Sequence, residues 1–210
     1  LPLFYQHTIN ENTKLAVWKI DEDENFFLQK VPLQTNIPHA HKRLQHLAAR
    51  YLLRFLFADF PNEEILIADT RKPFLPSEQY HFSISHCGNF AAAIVSKNER
   101  VGIDIEIPSE KTERIQKKFL NKEELIFINK SSDQKIIKST IAWCVKETVF
   151  KWWSFGNVDF KKNILLQNFL LAESGKIEVR FKKENENISL SLNYQLFEGL
   201  CLVWVSTNLS

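Results

Sequence analysis

Methionine is absent from all 210 residues, position 1 included, so the native start is expected upstream of Leu1. Cysteine is scarce. Cys87, Cys144 and Cys201 are odd in number and far apart, with no CxxC pair and no histidine at zinc-ligand spacing, so they read as reduced thiols of a cytoplasmic protein. No apolar run is long enough to span a bilayer and no basic-then-apolar leader is visible, so neither membrane insertion nor export is expected. A strong charge of one sign is also missing: 27 Lys and Arg against 25 Asp and Glu leave a net charge of +2, too balanced for bulk nucleic-acid binding. What is present is an ordinary globular composition, 44% apolar and 25% charged, in a chain long enough for one large domain or two small ones.

Residues 14–20 read as a strand after an irregular opening, and Asp21-Glu22-Asp23-Glu24 as a solvated acidic turn. From about Pro38 to Ala58 the apolar spacing turns helical, with Leu44, Leu47, Ala48, Tyr51, Leu52 and Phe55 as its stripe. Arg43, Arg50 and Arg54 fall seven and four apart on that helix, a basic edge that reads either as a solvated face or as a phosphate site. Two strands follow, 80–84 and 90–96, around a tight turn Ser85-His86-Cys87-Gly88-Asn89 that would present the His86 ring at a strand end.

The run Val101-Gly102-Ile103-Asp104-Ile105-Glu106 is a strand with two carboxylates on one side. Side chains alternate along a strand, so Asp104 and Glu106 project together, about 6–7 Å apart along the chain, a separation that suits one metal ion. Val101, Ile103 and Ile105 would form the buried face, leaving Asp104 exposed. The plainer reading is a half-buried strand with an acidic outer face.

Beyond a short helix over 112–120, Asn121 and Glu124 have the spacing of a capping box. A second long helix covers about Gln134 to Trp153, where Glu147 and Lys151 are four apart and share a face, either as a surface ion pair or as part of a site. The last third, with strand patterns over 177–181, 188–196 and 200–205, reads as an antiparallel meander. Each half therefore carries one long helix and several strands, which makes the fold class α+β with a seam near residue 100.

Together, the Asp-x-Glu strand, Trp143-Cys144-Val145-Lys146-Glu147-Thr148-Val149-Phe150-Lys151, the Ser85-His86 turn and Arg71-Lys72-Pro73 resemble the phosphopantetheinyl transferases of the large, surfactin-synthetase-activating type. Two positions depart from that pattern: Cys144 stands where a serine or small residue is common, and Arg71 where the loop has glycine. The Arg43-to-Arg50 spacing resembles a further basic segment of the family.

The resemblance implies a pseudo-twofold arrangement of two similar α+β halves, residues 1–100 and 101–210, each a long helix on a small antiparallel sheet, with coenzyme A and metal in the cleft between them. It implies a monomer, and transfer of the 4′-phosphopantetheine arm of coenzyme A to a serine of an apo acyl or peptidyl carrier protein, releasing adenosine 3′,5′-bisphosphate. Asp104, Glu106 and Glu147 would hold Mg²⁺, and Glu147 or a water on the metal would take the serine proton. Lys151 would offset charge on the leaving group; His86, Ser85, Lys72 and Pro73 would line the nucleotide, and Arg43 or Arg50 would meet its 3′-phosphate. An acidic carrier helix is expected to dock near Lys111 to Lys122, and no nucleic acid or membrane is expected as partner. Asp104→Ala should then abolish transfer and spare the fold, because an exposed acid is rarely a core element. The other readings are a catalytically silent coenzyme A or nucleotide-binding protein, or a nucleic-acid module resting only on Arg43, Arg50 and Arg54.

Overall fold

The computed structural model describes residues 2–33 and 35–209 and divides into two compact units, one running to Ile103 and taking in the chain from Ser206, the other Asp104–Val205. The architecture is α+β, with antiparallel pairing throughout the strand pairs described.

In the first unit, β1 (Leu3–Asn10), β2 (Thr13–Lys19), β5 (His81–Cys87) and β6 (Phe90–Ser96) form a sheet in the order β1-β2-β6-β5, while β3 (Leu66–Ile67) and β4 (Pro73–Phe74) pair separately. The long helix α2 (Ala40–Leu56) buries Leu47, Ala48, Leu52 and Leu53 against Ala91, Ala93 and Val95 of β6 and Trp18 of β2. Small alanines on β6 let the helix lie close to the sheet.

β1 lies where the sequence reads as irregular. Its residues are mostly exposed or half-buried along an edge, so no apolar alternation marks it. The acidic run at 21–24 is not a simple solvated turn. Asp23 caps α1 (Glu24–Leu28), accepting from the Phe26 amide at 3.0 Å, and Glu24 opens the helix. The hairpin at 85–89 is also tighter than its sequence implies. The ladder continues through His86↔Ala91 to Cys87↔Phe90, leaving a two-residue loop in which Gly88 takes φ 48°, as such turns require.

β7 (Glu99–Glu106), β8 (Ile164–Leu166), β9 (Ser174–Lys183), β10 (Glu186–Phe197) and β11 (Leu200–Asn208) give a sheet in the order β7-β11-β10-β9-β8, of which the second unit holds the part from Asp104 to Val205. The meander is longer than its apolar pattern because β9 and β10 stay paired from Ser174↔Gln195 out to Lys183↔Glu186, beside the Glu184-Asn185 tip. Helix α3 is Glu110–Phe119, α4 Lys122–Ile128 and α5 Lys135–Trp153. Ile141, Val145, Val149 and Trp152 of α5 share a core with Val179, Phe181, Leu190, Leu192 and Val203. The capping box forms as its spacing predicts: Asn121 Oδ1 accepts from the Glu124 amide at 2.9 Å, and Glu124 Oε2 accepts from the Asn121 amide at 2.8 Å.

Candidate active site

Alternation places Val101, Ile103 and Ile105 in the core, but Asp104 is buried as well, at 3% exposure, and Glu106 is half-buried. The expectation of an exposed Asp104 is therefore corrected. Side chains from α5 cover the acidic face: Lys151 Nζ donates to Asp104 Oδ1 at 2.7 Å, and Trp143 Nε1 donates to Glu106 Oε1 at 3.3 Å. Asp104→Ala would leave a half-buried ammonium without this carboxylate, so the cleaner substitution is Asp104→Asn.

Glu147 lies one helical turn before Lys151, in the field of both strand acids. Burial first, and repulsion from Asp104 next, push its carboxyl up to about 7, against the opposing pull of Lys151. Burial and Asp104 likewise raise Glu106, with the Trp143 hydrogen bond and Lys151 pulling it back. Cys144, one turn ahead, is fully buried; burial raises its thiol, and a hydrogen bond with Cys201 adds to the effect. Asp104 and Glu106 of β7 are thus met by Lys151 and Trp143 of α5, with Glu147 in the electrostatic field of both acids.

The cations of the first unit are distributed differently from a solvated basic edge. Arg43 is bound at both ends of its fork by Glu24, at 2.7 and 2.8 Å, and it donates to the carbonyl of Ile37 at 2.8 Å. Arg54 is paired with Glu63 at 2.7 Å. Arg50 is 6% exposed, and its Nε and Nη1 are buried without a hydrogen-bond partner. Burial draws this guanidinium down to about 10, so it still carries its charge at neutral pH. Its backbone carbonyl is held by Asn62 Nδ2 at 3.1 Å.

One turn earlier on α2, His46 is a residue that sequence reasoning passed over. The signal was its place four residues before Arg50. Ser85 is buried on β5, His86 is exposed near its end, Lys72 is half-buried, and Pro73 opens β4.

A family model described as the 4′-phosphopantetheinyl transferase superfamily matches residues 100–204, half of the chain. The chain belongs to that superfamily. Within it, the protein is of the large, surfactin-synthetase-activating type and its enzyme class is that of a 4′-phosphopantetheinyl transferase. It is 29% identical over 83% of its length to the 4′-phosphopantetheinyl transferase gsp of Aneurinibacillus migulanus, covering 74% of that protein. It is 30% identical over 57% of its length to a Haemophilus influenzae protein described as a 4′-phosphopantetheinyl transferase, covering 53% of it. It is also 35% identical over 36% of its length to enterobactin synthase component D of Escherichia coli, covering 37% of that protein.

One departure of this transferase from the family pattern has a direct structural reading. Arg71, in the position of the loop glycine, has φ 64°, the left-handed conformation that glycine adopts without a Cβ clash. The turn is closed by the Arg71 amide on Ala68 O at 2.8 Å and the Ala68 amide on Lys72 O at 2.9 Å. Arg71→Gly is expected to stabilise the protein by up to about 1 kcal/mol, a rise of about 2–4 °C in Tm for a chain of this size. A calorimetric scan showing a lower Tm would mean that contacts of the Arg71 side chain outweigh the backbone strain.

Among the described residues, no three His, Cys, Asp or Glu side chains stand in a metal-ligating group. The cation set into the transferase's acid cluster is the Lys151 ammonium. The chemistry of the donors nevertheless fits a hard divalent ion, since all three are carboxylates, and such an ion would offset the burial, and then the repulsion from Asp104, that raise Glu106 and Glu147.

Proposed function

We propose that this protein transfers the 4′-phosphopantetheine arm of coenzyme A to a serine of an apo acyl or peptidyl carrier protein, with Asp104, Glu106 and Glu147 holding Mg²⁺. The observation that carries this reading is the partly buried set of acids: a half-buried carboxylate poised near 7 on α5, in the field of a buried aspartate already engaged by a lysine. Magnesium bound there would supply charge neutralisation to the pyrophosphate. Glu147, with its raised proton affinity, accepts the proton of the carrier serine as Oγ bonds to the phosphorus bearing the pantetheine arm. The bond from that phosphorus to the bridging oxygen breaks, and adenosine 3′,5′-bisphosphate leaves. Lys151, oriented by Asp104, offsets the charge that develops on the leaving phosphate.

Arg50 is the arginine proposed for the 3′-phosphate, because Arg43 is committed to Glu24 while two N–H groups of Arg50 are unpartnered. His86, Ser85, Lys72 and Pro73 are proposed along the rest of the nucleotide. The exposed Lys111, Lys117, Lys118 and Lys122 on and after α3 support docking of an acidic carrier helix.

The protein, mixed with coenzyme A, Mg²⁺ and apo carriers of the acyl and peptidyl kinds, should add the mass of phosphopantetheine to the carrier serine, and chelation of the metal should stop it. If coenzyme A binds but no carrier in the panel gains mass, the transfer reading fails and a silent binding protein remains.

A further inference from the structure

We propose that His46 is a third ligand of an anion pocket lined by Arg50 and His86, neutral while the pocket is empty and donating to the phosphate as an imidazolium once it is filled. The inference rests on the reading that a coenzyme A phosphate enters this pocket, and it adds a residue and a proton to that reading.

Geometry comes first. His46 and Arg50 are four residues apart and therefore on one face of α2, which packs on β5 and β6. Gln45 Nε2 ties the same stretch of helix to Gly88 O at 2.8 Å, in the loop that follows His86. Arg50 brings a guanidinium that is more than nine-tenths buried and has two N–H groups without acceptors. Leaving charged donors unmade in a buried place is costly, and an anion is the group that would satisfy them.

The charged surroundings of His46 point the same way. Burial first, then the charge of Arg50 on its own helix and that of His86 from β5, oppose its protonation and hold it near 4. The surfaces of β2 and β6 against α2 are apolar at Ala16, Trp18, Ala91 and Ala93. The acids that pair with or act on α2 are engaged by other groups, Glu24 by Arg43, Glu63 by Arg54 and Glu22 by Trp18 Nε1 at 3.1 Å. Nothing in this list favours His46 as a cation until a negative group arrives. A phosphate would supply that group, reverse the sign of the local field and draw a proton from solvent onto the ring.

The test follows the His46 ring by NMR as pH is varied, with His46→Gln identifying its resonance. The titration is repeated with inorganic phosphate and with adenosine 3′,5′-bisphosphate. Either probe should move the His46 midpoint upward by about two units or more, to about 6 or above, so that the ring is charged in the complex at pH 6–7; this lies within the range expected when an opposite charge comes into contact. In His46→Gln, affinity for adenosine 3′,5′-bisphosphate should fall about tenfold at pH 6–7, with an unchanged unfolding midpoint. Isothermal titration in two buffers of different ionisation enthalpy should show proton uptake in the wild type that the variant lacks.

If the nucleotide binds with no shift at His46 and no proton uptake, His46 is not a ligand, while the transferase reading stands. If inorganic phosphate shifts His46 but coenzyme A does not bind, the pocket stands and the coenzyme A reading falls. If neither probe moves the ring, the proposal is overturned.

Discussion

Asp104→Asn should lower phosphopantetheine transfer by at least about a hundredfold, the usual cost of removing one preorganised charge at a reacting centre, while the protein stays folded. The amide keeps the shape of the carboxylate and fits the same buried place on β7. What it removes is the charge that holds Lys151 Nζ at 2.7 Å, so the lysine proposed to meet the leaving phosphate loses its orienting partner. It also removes the largest source of repulsion acting on Glu147 and Glu106, so both carboxyls should move down toward the ordinary range.

That second effect has a pH signature independent of turnover. Glu147 titrates near 7 in the fold and near its ordinary 4.5 when unfolded, so between those values the folded state holds more protons. Stability from this group is fully present below about 4.5 and is lost as pH rises through 7. Urea midpoints of metal-free protein should therefore fall between pH 5 and pH 8, and the fall should shrink in Asp104→Asn. Magnesium added at pH 8 should restore the wild type more than the variant. Equal pH dependence in both proteins, or full turnover by the variant, would remove Asp104 from the site.

The acid strand and the Trp143–Lys151 helix were legible because their periods, two and near four, put their functional residues on single faces. The capping box was legible for the same reason: its partners are three residues apart. What the sequence could not show was which polar side chains the fold would bury. Asp104 follows the alternation expected of an exposed face, yet α5 covers it. Arg43, Arg50 and Arg54 look equivalent along α2, but their fates depend on Glu24 and Glu63, acids 19 and 9 residues away, which claim two of them and leave the third buried. His46 was passed over because its neighbour His86 comes from another element forty residues on. Lys146 is a charged residue within an apolar stretch of helix, and no spacing in the sequence marks it as fully buried, which it is.

Lys146→Met should cost about 3–5 kcal/mol of stability, the range found when one member of a buried ion pair is removed. All the donors of this ammonium point inward: to Glu124 Oε1 at 2.7 Å, to the carbonyl of Phe160 at 2.8 Å and to the carbonyl of Ile164 just ahead of the Leu166 amide. Burial draws Lys146 down to about 8 against the pull of Glu124, so it is charged at pH 7. Methionine matches the length of the stem but leaves a carboxylate and two carbonyls without their donor. Glu124 keeps only the amides of Asn121 and Leu166, each at 2.8 Å. Adding Glu124→Gln should recover part of the loss, because the stranded charge goes while the side-chain oxygen still caps α4. Urea unfolding of the two single variants and the double measures that coupling. A loss below about 1 kcal/mol in Lys146→Met, or no recovery in the double variant, would mean that the ammonium does not tie α4, α5 and β8 together. Because Lys146 immediately precedes Glu147, a large loss with recovery would also show that the element carrying the proposed base is anchored from its buried side by a charge pair that hydrophobic residues do not replace for free.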